Sequence, residues 1–67
     1  MSVAKVIEVS AGSTESFEDA IGKGLAKASE SVLNIEGAWV KEQKVTTNDG
    51  SVAEYRVDLA VTFVLDE

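Results

Sequence analysis

The sequence predicts an α+β fold of β-α-β-β order, and three observations carry that reading. An apolar stripe of Phe17, Ile21, Leu25, Ala28 and Val32 recurs at spacings of three and four, the period of a helix buried by one face. Asn48-Asp49-Gly50 is a hairpin-turn signal, because these residue types tolerate positive φ. Behind it, Ala53, Tyr55, Val57, Leu59, Val61, Phe63 and Leu65 alternate with Glu54, Arg56, Asp58, Ala60, Thr62 and Val64. Strict alternation of that length makes a long strand with one apolar face.

The remaining elements follow in chain order. Val3 to Ser10 mix β-branched residues with Lys5 and Glu8 and read as the first strand. Ala11-Gly12-Ser13-Thr14 breaks that pattern. Ser13 is the expected N-cap, and Glu15, Glu18 and Asp19 put negative charge where a helix N-terminus favours it. The helix is expected from Thr14 to about Val32. Gly22 and Gly24 lie within it and weaken it by about 1 kcal/mol each relative to alanine, which points to another backbone approaching closely there. Gly22-Lys23-Gly24 is no phosphate loop, since it sits inside a helical pattern and lacks the rest of that motif. Asn34 to Gly37 form a break, and Ala38 to Thr46 read as the second strand. The helix stripe is expected to pack on the odd-numbered face of the last strand.

Composition narrows the function. With 67 residues the chain makes one domain, residues 1–67, and a domain that small usually needs a staple or partner copies. It has no cysteine and no histidine, so disulfides, thiolate metal sites and the commonest general base are all excluded. Oligomerisation is left as the supplement to the core. No Ser-His-Asp set, zinc spacing or calcium loop is present, and the chain is read as a non-enzyme. A net charge of −6 argues against a nucleic-acid partner, which calls for a basic patch. No run approaches the roughly 18 apolar residues of a membrane span, and Met1 to Lys5 lack a leader's apolar stretch. No membrane partner is therefore expected, and the location is expected to be cytoplasmic.

Two sets of residues invite a binding role. Ala38 and Val40 suit the helix side of the second strand, so Trp39, alternating with Lys41 and Gln43, falls on the opposite face. A lone subunit would expose that indole. It is either buried between subunits or offered as a stacking surface for a planar ligand. Glu54, Arg56 and Asp58 line the polar face of the last strand, as a salt-bridged ladder or as the wall of a ligand site or cation channel.

With these elements placed, the chain resembles the dodecins, a family of small flavin-binding proteins. The resemblance runs through Lys5-Val6-Ile7-Glu8, Gly12-Ser13-Thr14-Glu15-Ser16-Phe17, Ala26-Lys27-Ala28, Ser31-Val32 and Trp39-Val40-Lys41-Glu42-Gln43. It ends with Glu54-Tyr55-Arg56-Val57-Asp58-Leu59-Ala60-Val61-Thr62-Phe63. It implies a three-stranded antiparallel sheet wrapped around one helix, and a hollow homododecamer of cubic symmetry. It also implies storage of paired flavins, riboflavin or FMN, without turnover. In flavin-binding dodecins a tryptophan early in the second strand stacks on the flavin ring, and a glutamine after the third strand's tyrosine hydrogen-bonds to it. Aligned on Tyr55, Gly37 takes the tryptophan position and Arg56 the glutamine position. Trp39 follows two residues later, on the same face and roughly 7 Å along the strand. In this reading Trp39 stacks, while Gln43 and Arg56 supply polar contacts to the ring or phosphate. Other dodecin-like proteins lack the tryptophan, some being associated with cations, and Arg56 with Glu42-Gln43 places this chain nearer that branch. The alternative is thus a structural shell or one holding a divalent cation such as calcium, with Glu54 and Asp58 multiplied into ligand rings by symmetry.

Overall fold

The computed structural model describes residues 3–65, with β1 (Val3–Ser13), α1 (Phe17–Ala28), β2 (Ile35–Asn48) and β3 (Ser51–Leu65). The strands form one antiparallel sheet in the order β1-β3-β2. The last strand is therefore central and the first two are edges. No described helix is long and apolar enough to cross a membrane.

Alternation in β3 sets the core. Val57, Leu59 and Val61 are essentially inaccessible, and Phe63 is buried beside them. Ala20 and Ala28 of α1 close over this row, flanked by Ile7, Val9, Ala11, Phe17, Ile21, Leu25 and Ile35. Each fully buried aliphatic side chain of this kind contributes about 1.5–3 kcal/mol. The odd-numbered face of β3 does lie under the helix, as its sequence pattern requires. At Gly24 a Cβ would stand 2.9 Å from Leu59 Cδ1 and 3.2 Å from the Ala11 Cβ. The close approach inferred from the glycine pair therefore exists, but at Gly24 alone and against side chains of the sheet. Nothing lies within 4 Å of the corresponding point at Gly22.

Two helix boundaries differ from expectation. α1 begins at Phe17, capped by Ser16, whose hydroxyl accepts the Asp19 N–H at 2.9 Å. Ser13 is not the cap. It stays paired with Tyr55 at the end of β1, accepts the Glu15 N–H at 2.8 Å and donates to Asp19 Oδ2 at 2.6 Å. That bond, followed by those from Lys23, holds the Asp19 carboxyl below its ordinary 3.8. The helix also stops at Ala28, where the Ser29 hydroxyl bonds back to the Ala26 carbonyl at 2.7 Å. Such a bond competes with continued helix. Asn34, with φ of 61°, then turns the chain into β2.

The hairpin closes as read. Asn48 pairs with Ser51, and Asp49 and Gly50 both have positive φ, 52° and 81°, which matches the right-handed twist of the strands. Because α1 packs mainly across β1 and β3, β2 is exposed along almost its whole length. The molecule is accordingly elongated, 51 Å by 19 Å by 14 Å.

Candidate functional site

The candidate site is the sheet face turned away from α1, and β3 supplies its axis. Thr62, Ala60, Asp58, Arg56 and Glu54 point there. On the β1 side Glu8 stands opposite Ala60, Ser10 opposite Asp58 and Gly12 opposite Arg56. On the β2 side Gly37 faces Thr62, Trp39 faces Ala60, Glu42 faces Asp58, Lys44 faces Arg56 and Thr46 faces Glu54.

The register of β2 slips between Val40 and Glu42. Lys41 and Glu42 together oppose Asp58, a β-bulge that reverses the alternation beyond it. Trp39 and Lys41 share the outer face, as expected. Gln43 does not: it pairs with Val57, so it stands on the helix side, away from the indole. This corrects its placement from simple alternation. Gly37 and Trp39 do lie on one face, separated by one residue, and a side chain at Gly37 would meet nothing within 4 Å.

Three features give this face its chemistry. Trp39 is 59% exposed, an indole projecting from an edge strand with no helix over it. Next to it Lys41 Nζ crosses β3 to reach Glu8 Oε2 at 2.8 Å. Glu8 thereby raises the Lys41 ammonium above its ordinary 10.5. Ala60, between Trp39 and Glu8 in the register, is only 2% exposed although no helix covers it. Further along, Arg56 donates from Nη1 to Glu54 Oε2 at 3.2 Å and from Nη2 to Ser10 Oγ at 3.1 Å. Gly12 leaves room for this arrangement, since a Cβ there would collide with both the Glu54 and Arg56 side chains.

The structure therefore brings together Trp39, Gly37 and the Lys41–Glu8 pair at one end of the face, and Arg56 with Glu54 at the other. Arg56 is four residues from Ala60, roughly 13 Å along the strand. Glu54 and Asp58 are equally separated and do not meet in one subunit. Among the described residues no group of three carboxylates is close enough to hold a metal ion. Glu8 was not singled out in the sequence. The one available signal was Lys41-Glu42, two adjacent polar residues that interrupt period-two alternation and mark a bulge.

The geometry is shared with known proteins. The dodecin family model matches residues 3–66. A dodecin from Thermus thermophilus, solved as an arginine-to-alanine mutant, is 36% identical over the whole of both chains, with a TM-score of 0.93. The dodecin from Streptomyces davaonensis is 32% identical, covering 98% of this chain and 97% of its own, with a TM-score of 0.93. A Mycobacterium tuberculosis protein, described as a calcium-chelating immunodominant antigen with a novel calcium-binding site, is 33% identical. It covers 96% of this chain and 91% of its own, with a TM-score of 0.82. No curated protein matches the sequence significantly.

Proposed function

This chain belongs to the dodecin family, and from that premise we propose that it is a cytoplasmic homo-oligomeric protein that sequesters flavin without turnover. The observation that carries the ligand is Trp39, a projecting indole on the face where the resemblance places the stacking tryptophan. A planar ring stacked on such a face gains about 0.5–1.5 kcal/mol beyond the area it buries. The empty space at Gly37 widens the platform on that side. The shift of the indole by two residues keeps its face and changes its depth along the strand.

Self-assembly rests on the other side of β2. Ala38, Val40 and Val45 face the helix side of the sheet by their pairing with Val61, Leu59 and Tyr55, yet α1 does not reach them. Val40 is 38% and Val45 41% exposed. An apolar row on an uncovered strand, in so small a domain, is best buried against copies of itself. Assembly into the family's dodecamer would supply that burial.

Titration of the size-checked oligomer with riboflavin and with FMN tests the reading, following flavin and Trp39 fluorescence. Mutual quenching at micromolar concentrations, lost in Trp39→Ala with assembly retained, is the expected outcome. An intact oligomer that quenches neither flavin contradicts it. Arg56, held by Glu54 and Ser10, is assigned to the phosphate of FMN: Arg56→Ala should weaken FMN more than riboflavin, and equal losses would argue against that role.

The calcium-chelating relative from Mycobacterium tuberculosis favours a second reading, a shell that holds divalent cations. Here Glu54 and Asp58 would act only as rings contributed by several copies. Calorimetric uptake of calcium by the oligomer, lost in Asp58→Asn, supports it, and absence of uptake argues against it.

A further inference from the structure

We infer that Lys41 and Glu8 form the edge-reading part of the ligand site, selecting a planar ring that carries a cyclic imide, a ring N–H flanked by carbonyls. The inference rests on the flavin reading and deepens it, because the pyrimidine end of a flavin has that edge.

Position is the first argument. Trp39, Ala60 and Glu8 are successive register neighbours across β2, β3 and β1, so Glu8 lies two strand spacings from the indole, roughly 10 Å. A tricyclic ring stacked on Trp39 and extending over Ala60 brings its edge to that point. Ala60 is the smallest side chain on this face of β3 and is only 2% exposed, so the ring would rest on the side chains that cover it. Arg56 sits one full strand segment away and is tied to Glu54 and Ser10, so it does not reach the same edge.

Chemistry is the second. The bulge places Lys41 outside the regular pairing of β2, and its side chain crosses the sheet to Glu8. Bulges often redirect a side chain next to a functional site. The result is a donor and an acceptor 2.8 Å apart, beside an exposed aromatic face. Glu8, ionised, only accepts, and the Lys41 ammonium only donates. A ring N–H donating to the Glu8 carboxylate, with the adjacent carbonyl accepting from Lys41, satisfies both. Hydrogen bonds to ionised partners are about twice as strong as neutral ones.

Availability is the third. The Lys41 and Glu8 side chains are 43% and 63% exposed. An exposed ion pair contributes little to folding, so its two ends can exchange partners for a ligand at small cost to the fold. Asp58 and Glu42 also face Lys41 and hold its charge in place.

The test compares riboflavin with 3-methylriboflavin, whose ring nitrogen cannot donate, by fluorescence titration of the assembled protein. The wild type should bind the methylated ring at least about tenfold more weakly. Glu8→Ala should weaken riboflavin by about tenfold and bind the two rings equally. Lys41→Met should weaken both rings together. Equal binding of the two flavins by the wild type overturns the inference and leaves the flavin reading standing, and so does a preference that survives in Glu8→Ala. Failure of an intact oligomer to bind riboflavin at all overturns both. The wild-type comparison needs no variant, so it decides even where Glu8→Ala does not assemble.

Discussion

β1 and β2 flank the same central strand, yet one edge lies under a helix and the other lies open. On the β1 side the alternation of β3 is met by α1, and the apolar side chains of both elements close into a core. On the β2 side comparable residues, Ala38, Val40 and Val45, find no helix above them. Width explains the difference. One helix about 10 Å across covers two strands spaced about 4.8 Å apart, so Ala38 and Val40, level with the buried Val61 and Leu59, lie to the side of it. The covered part makes a foldable unit. The open part, with an indole on one face and aliphatic side chains on the other, is the surface left for ligands and copies.

That contrast can be broken in steps. Leu59→Ala removes a side chain enclosed by Ala20, Gly24 and its β3 neighbours, and should cost about 2–5 kcal/mol in chemical denaturation. A loss below about 1 kcal/mol would mean that the core lies elsewhere. Val45 is 41% exposed in the single subunit, so the effect of Val45→Asp should fall mainly on assembly: gel filtration should show the oligomer replaced by smaller species. Unchanged elution would leave the open row without a role.

The two helix glycines sharpen the comparison further. Gly22→Ala should stabilise by up to about 1 kcal/mol, the helix-propensity difference. Gly24→Ala should lose that gain and destabilise, because its Cβ would press on Leu59 and Ala11. Equal effects in thermal unfolding would show that α1 does not lie so close to the sheet.

The smallest expected effect is at the helix start. The folded-state value of Asp19 is depressed by the Ser13 hydroxyl and Lys23. Its contribution to stability is therefore present above the ordinary aspartate value of 3.8 and is lost as pH falls through the lowered one. Asp19→Asn should flatten the acid limb of the stability curve and leave its shape near pH 9 unchanged.

Much of this was legible in the residues because period and turn chemistry are local. The alternation in β3, the stripe of α1 and the Asn48-Asp49-Gly50 turn each declare themselves within a few residues. The helix start was misplaced because Ser13 and Ser16 are both competent caps. The choice is made by β1, which stays paired with β3 as far as Ser13 and Tyr55. The face of Gln43 was misplaced for a similar reason. A bulge is a property of two strands in register, and one strand's alternation does not contain it. Glu8 was missed because its partner Lys41 is distant in sequence and reaches it only across β3.

Native mass spectrometry of the protein mixed with riboflavin tests the central claim most directly, since one spectrum reports both subunit number and bound ligand. The account predicts a dodecamer carrying riboflavin, and a Trp39→Ala dodecamer that carries none. A bare assembly from the wild type, or a riboflavin complex that persists in Trp39→Ala, would contradict it.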